Sequence, residues 1–216
     1  KTSYNEAEKL AAEHYENFPV ISLFVPKELR KHVGIIYQFA RIADDIADEG
    51  SLPDEERIKL LTEFEDNLSM TLEGKPRTQF WNSLAMTINE RKLSTIHFYN
   101  LLSAFKQDVV KKRYENFEEL VDYCRRSANP VGRMILELHD IRNDEANKYS
   151  DDICTALQLT NFYQDVSVDI QKGRIYIPKD ELNQYGLDEK VFELKKINSK
   201  FERLLAFQIK RTNELF

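Results

Sequence analysis

Asn161-Phe-Tyr-Gln-Asp165-Val-Ser-Val-Asp169 places an oxygen donor at every fourth position. The spacing predicts a helix from about Tyr149 to Gln171, because residues four apart share a helical face. Asn161, Asp165 and Asp169 then form one ladder, with about 6 Å between rungs. Leu157, Leu159, Phe162, Tyr163, Val166 and Ile170 surround it with apolar side chains. Carboxylates among core-type residues are costly unless a cation or donor compensates them. A set of oxygen ligands suits a hard cation such as Mg²⁺, which shares carboxylates with substrate phosphates. The alternative is an acidic, solvated helix face.

A second ladder weighs against that alternative. Ile36-Tyr37-Gln38-Phe39-Ala40-Arg41-Ile42-Ala43-Asp44-Asp45-Ile46-Ala47-Asp48-Glu49 is helical in pattern, with a face of Val33, Tyr37, Arg41, Asp44 or Asp45, and Asp48. Val33, Ile36, Ala40 and Ala47 make that side apolar and small, so these charges are expected to point toward a packed interior. Two such ladders facing a common cavity would hold Mg²⁺ against one diphosphate. Candidate cavity residues are Val33, Ile36, Leu136, Leu157 and Phe162. Asp140 and Asp144 repeat the spacing, but His139-Asp-Ile-Arg-Asn-Asp-Glu-Ala-Asn147 is polar and reads as a solvated turn.

The 216 residues include only six Gly and six Pro and no linker-like stretch, so one continuous domain over 1–216 is expected. Thirteen Phe and ten Tyr are a generous supply for an apolar cavity, and the net charge of −6 argues against a nucleic-acid partner. No apolar run approaches the roughly 20 residues of a membrane span, and no secretory signal is seen. Cys124 and Cys154 sit in helical apolar patterns, as reduced core residues of a cytoplasmic protein would. The four histidines show no zinc spacing.

The expected helices are 3–17, about Lys27–Glu49, Asp54–Leu72, Thr78–Glu90, Ser94–Val110, Phe117–Leu138 with a kink near Pro130 and Gly132, Tyr149–Gln171, Lys179–Tyr185 and Asp188–Phe216. An apolar loop is expected over 18–26. Gly173 reads as a helix stop. Lys172-Gly-Arg174-Ile-Tyr176-Ile-Pro178 reads as a short extended segment whose cations would meet phosphate oxygens or complement the helix end. No segment of strand period has useful length, so the fold is all-α. The helical pattern is still running at Phe216, and the natural chain is expected to continue with further helices.

Tyr37-Gln-Phe-Ala-Arg41-Ile-Ala-Asp44-Asp45-Ile-Ala-Asp48 and Asn161-Phe-Tyr-Gln-Asp165-Val-Ser-Val-Asp169-Ile-Gln-Lys-Gly-Arg174-Ile-Tyr176-Ile-Pro resemble, in order, the two aspartate motifs of the squalene/phytoene synthase family. The resemblance implies the all-α isoprenoid (terpenoid) synthase fold, a single helical domain around a central cavity. It implies metal-site roles for Asp44, Asp48, Asn161, Asp165 and Asp169, and a diphosphate and carbocation site lined by Tyr37, Arg41 and Arg174. His14, Asn17, Asn129, Gln164, Lys172 and Tyr176 complete the expected substrate-binding set.

Three departures from the family pattern stand out. His14-Tyr-Glu-Asn17-Phe18 replaces His-Ser-x-Ser-Phe; Arg125-Arg-Ser-Ala-Asn129-Pro-Val-Gly132 replaces Tyr-x-Val-Ala-Gly-x-Val-Gly; and Gln164 replaces an arginine. They resemble the hopanoid-associated bacterial branch. That likeness implies conversion of presqualene diphosphate and water to hydroxysqualene and diphosphate, with companion enzymes of squalene synthesis and a peripheral membrane contact for release of the lipid product. The alternatives are head-to-head condensation of farnesyl or geranylgeranyl diphosphate, and a non-catalytic assembly factor of the same fold.

Overall fold

The computed structural model describes residues 25–193 and 198–216. The expected helix over 3–17, most of the 18–26 loop, and His14 and Asn17 lie outside the described residues. The described residues are mainly helical and contain no strand. A single isolated parallel bridge joins Arg113 and Ile175. None of the described helices is long and apolar enough to cross a membrane.

The described chain divides into two compact units. One runs to Val109 and takes in Met134–Arg142; the other holds Val110–Arg133 and Asn143–Phe216. The first contains α1 (Lys27–Asp48), α2 (Asp54–Leu72), α3 (Gln79–Arg91) and α4 (Ile96–Val110). Leu29, Val33, Ile36, Phe39, Ala43 and Ala47, at spacings of three and four, form the buried stripe of α1. Phe39 anchors it: its ring meets Phe98 edge-on at 5.1 Å and Phe64 at 5.2 Å. Pro53 and three acidic residues start α2, as the positive end of the helix dipole favours.

The last turn of α1 carries no basic residue of its own. Arg57, buried in the second turn of α2, supplies one. Its guanidinium donates to Leu52 O at 3.1 Å, Ile46 O at 2.9 Å and Gly50 O at 2.8 Å. Gly50 turns the chain with φ +76°, a conformation most side chains avoid. Arg57→Met is therefore expected to cost about 1–3 kcal/mol, because three part-buried carbonyls lose a charged donor. Urea unfolding checks this, and an unchanged midpoint would refute it.

The second unit contains α5 (Phe117–Ser127), the first turn of α6 (Asn129–Leu138), α7 (Asp144–Gln164), α8 (Val166–Gln171), α9 (Lys179–Gln184), a 3-10 turn over Glu189–Phe192 and α10 (Ser199–Asn213). Four expectations need correction. The helix expected over Phe117–Leu138 is two helices meeting at Ala128, because Pro130 lacks an N–H and fits the first turn of a new helix. The helix expected from Tyr149 begins at Asp144, where Asn143 accepts a hydrogen bond from Ala146 N at 2.8 Å. Asp144–Asn147 is thus helical rather than part of a turn. That same helix is interrupted at Asp165 (φ −97°, ψ 11°), which separates α7 from α8. The final expected helix is the 3-10 turn followed by α10; 194–197 lie outside the described residues.

The first turn of α6 lies close against α7. Thr155 Oγ1 donates to Asn129 Oδ1 at 3.0 Å, and Arg133 makes a two-pronged pair with Asp151 at 2.9 and 2.6 Å. Between them sits Gly132. A Cβ there would lie 2.3 Å from Ser150 Oγ and 2.5 Å from Cys154 Sγ. Gly132→Ala is expected to destabilise by about 1–3 kcal/mol, as overpacking does, and Cys154→Ala in the same chain to recover part of the loss. Thermal unfolding of the single and double variants checks this; a wild-type Tm for Gly132→Ala would contradict it.

Residues 172–180 form a strap over 112–115. Ile175 N donates to Lys112 O at 3.1 Å, Lys179 N to Tyr114 O at 3.0 Å and Asp180 N to Glu115 O at 3.1 Å. An aromatic cluster of Tyr114, Tyr123, Phe162 and Tyr176 packs beneath it, with Phe162 and Tyr176 stacked at 3.9 Å and 8°. Glu181 ties α9 to α10 through Arg211 and Gln208.

Candidate functional site

The two ladders belong to different units, and each is built locally. On α1, Tyr37, Arg41, Asp44 and Asp48 follow one another at spacings of three and four. The expectation that they point into a packed interior is corrected. The Asp44 and Asp45 side chains are 46% and 42% exposed, and Asp48 is half-buried. Adjacent residues on a helix lie about 100° apart, so Asp44 and Asp48 stand one step round from buried Ala43 and Ala47. The carboxylates therefore run along the edge of the core stripe, fixed by it and open to solvent.

Arg41 is the centre of this group. Its Nη2 lies 2.7 Å from Asp45 Oδ1 and 2.7 Å from Glu49 Oε1, and its Nη1 3.7 Å from Asp44 Oδ2. Partial burial works against its charge, but Asp45, Asp44 and Glu49 outweigh that and hold its pKa above the ordinary value. Burial pushes the Tyr37 phenol up, against the pull of Arg41 and with the push of Asp45 and Asp44. Asp45 is expected only as an alternative to Asp44 on this face, and Glu49 is not among the expected site residues. The signal was present as acids four and eight residues after Arg41.

On the second ladder, Asn161 and Asp165 are exposed and Asp169 is half-buried. The helix break does not scatter them. Asp165 N still donates to Asn161 O at 2.8 Å, and Asp169 N to Asp165 O at 2.9 Å. Gln164 is exposed at the end of α7. Gly173 stops α8 with φ +73°, as expected. Lys172 is exposed and Arg174 buried, with Arg174 N donating to Asp169 O at 2.8 Å. Arg174, Ile175, Tyr176 and Ile177 are all buried, so their exposure does not alternate. Tyr176 gives one ring face to Phe162, and Asn129 gives its carbonyl oxygen to Thr155. Of the cavity candidates, Val33, Ile36 and Phe162 are buried, Leu136 is half-buried and Leu157 is exposed. Tyr149, Ile153 and Leu157 make an exposed apolar stripe, at four-residue spacing, that winds along α7 to Asn161.

Among the described residues no three His, Cys, Asp or Glu side chains converge on a ready-made metal position. The donor chemistry nonetheless fits a hard divalent cation, since both ladders offer accessible carboxylate oxygens. On the first these are the oxygens of Asp44 and Asp48, whereas Asp45 Oδ1 is buried against Arg41 Nη2 at 2.7 Å. His32 and His97 fit no such role. His32 bonds Thr87 and Glu90 in the first unit, and His97 pairs with Glu137 there. Asp140 is not simply solvated: it pairs with Arg91 at 3.0 Å and Arg142 at 3.2 Å, in a left-handed turn with φ +60°.

Residues 11–216 match the family described as squalene/phytoene synthase. The hydroxysqualene synthase of Sinorhizobium fredii is 39% identical over 175 residues, which are 79% of this chain and 58% of that protein. The crystal structure of squalene synthase HpnC from Alicyclobacillus acidocaldarius is similar with a TM-score of 0.91 and 36% identity, over 98% of this chain and 80% of that one. A dehydrosqualene synthase solved in complex with ligand gives a TM-score of 0.88 and 26% identity, over 99% of this chain and 74% of that one. The chain spans little more than half the length of the curated relatives it matches, 58% and 57% for two of them.

Proposed function

The chain belongs to the squalene/phytoene synthase family, and from that premise we propose that it ionises presqualene diphosphate and captures the rearranged cation with water. The products are hydroxysqualene and diphosphate. The carbon–oxygen bond to the diphosphate breaks and its electron pair leaves with the phosphate. The carbocation rearranges, a water oxygen adds to it, and that water gives up one proton. No reductant enters this balance.

The observation that carries the reading is Gln164. It closes α7 next to Asp165 and is exposed, so this ladder presents a neutral amide where the family pattern has an arginine. A substrate with one diphosphate needs fewer cations than two diphosphates held together. The likeness to hydroxysqualene synthase supports the same choice.

Asp44 and Asp48 in the first unit would hold Mg²⁺, and so, in the second, would Asn161, Asp165 and Asp169. When bound, Mg²⁺ neutralises the leaving diphosphate and so eases ionisation. Arg41 and Arg174 would pair with phosphate oxygens, as forked cations do. Tyr37, beside Arg41 with its phenol held protonated, would donate a hydrogen bond to an oxygen at that site. The stripe of Tyr149, Ile153 and Leu157 gives a hydrocarbon an apolar track of about 12 Å along α7. The test is product identification with presqualene diphosphate and with farnesyl diphosphate, supplied separately.

A further inference from the structure

Arg41 is anchored by a carboxylate that lies outside its own helix. Glu49 caps the C-terminus of α1, and its backbone N–H donates to Asp45 O at 2.9 Å. Glu49 Oε1 accepts a hydrogen bond from Arg41 Nη2 at 2.7 Å, and Asp45 Oδ1 lies 2.7 Å from the same nitrogen. Both carboxylates therefore sit on one nitrogen of the fork, while the other, Nη1, stands 3.7 Å from Asp44 Oδ2. The end of α1 that carries Glu49 is itself clamped by Arg57 on Ile46 O and Gly50 O.

We propose that Glu49 is a positioning residue that, with Asp45, fixes the Arg41 guanidinium so that Nη1 is presented beside Asp44 to an incoming metal-bound diphosphate. The proposal rests on the reading of Asp44 as a metal–diphosphate residue. An unanchored arginine has several rotatable bonds to order when its ligand binds, and an anchor on one nitrogen removes that cost from the binding step. A merely decorative surface pair would contribute little to anything, and Glu49 is 64% exposed, so the fold does not depend on its side chain.

The test is calorimetric titration of the purified chain with inorganic diphosphate in saturating Mg²⁺, with thermal unfolding measured alongside. Glu49→Gln is expected to weaken binding about fivefold at an unchanged Tm. Combined with Arg41→Lys, it is expected to weaken binding no further than Arg41→Lys alone. Wild-type affinity in Glu49→Gln, or full additivity with Arg41→Lys, overturns the proposal. So does a lowered Tm with unchanged affinity, which assigns Glu49 to the helix end alone. Asp44→Asn separates the two levels. If it binds like wild type, or if wild type does not bind, the site reading falls and the positioning role with it. If Asp44→Asn loses binding and Glu49→Gln does not, only the positioning role falls.

Discussion

Asp44→Asn and Asp165→Asn are each expected to lower turnover by at least about a hundredfold while the chain stays folded. Asparagine keeps the size and one oxygen of aspartate but loses the charge a divalent cation needs. The fold should tolerate the change, because both side chains are accessible and the core contacts of α1 come from Ala43, Ala47 and Phe39. At Asp165 the hydrogen bonds that order the break, to Asn161 O and from Asp169 N, are made by the backbone and survive the substitution. Neutralising one carboxylate also relieves repulsion in the metal-free ladder. Asp140→Asn is the control. It removes exposed pairs with Arg91 and Arg142 worth about 0–1 kcal/mol, asparagine accepts the left-handed turn, and activity should not change. Steady-state rates with circular dichroism check the set. An Asp165→Asn variant as active as wild type would remove the metal assignment.

The second large effect concerns substrate choice. With Mg²⁺, presqualene diphosphate is expected to turn over with a kcat/KM about ten- to a hundredfold above that of farnesyl diphosphate alone. Condensing two prenyl diphosphates requires two highly charged groups to be held together. An arginine before the second motif would contribute a permanent charge and a forked donor, and Gln164 contributes neither. One charged hydrogen bond is worth about 1.5–3 kcal/mol, which sets that range. NADPH is expected to have no effect, since in the proposed reaction water is the terminal nucleophile. Efficient conversion of farnesyl diphosphate to squalene, or of geranylgeranyl diphosphate to phytoene, would contradict this and favour the condensing reaction.

The helices with clear punctuation were legible in the sequence. Pro26, Gly50 and Pro53 bracket α1 and begin α2, and the expected ends agree with the observed ones within a residue. The start of α7 was hidden because Asp144-Glu-Ala-Asn147 has no apolar period, and only the Asn143 cap marks it. The break at Asp165 was hidden because the four-residue pattern continues through it. The exposure of the aspartates was misjudged because a ladder one residue out of step with the core stripe shares its apolar neighbours. The seat of Arg41 was half visible. Asp45 is an ordinary helical neighbour, but Glu49 returns to Arg41 only because the helix ends there. Pairing of 172–180 with 112–115, and the fit of Gly132 against Ser150 and Cys154, join segments distant in sequence, and no local pattern announces either.

Isotope labelling shows whether water ends the reaction. The purified chain is incubated with presqualene diphosphate and Mg²⁺ in ¹⁸O-enriched water, and the lipid product is analysed by mass spectrometry while released diphosphate is quantified. The expected product is hydroxysqualene whose hydroxyl carries the solvent label, with one diphosphate released per molecule formed. A hydrocarbon product, an unlabelled alcohol or recovery of unchanged presqualene diphosphate would contradict it.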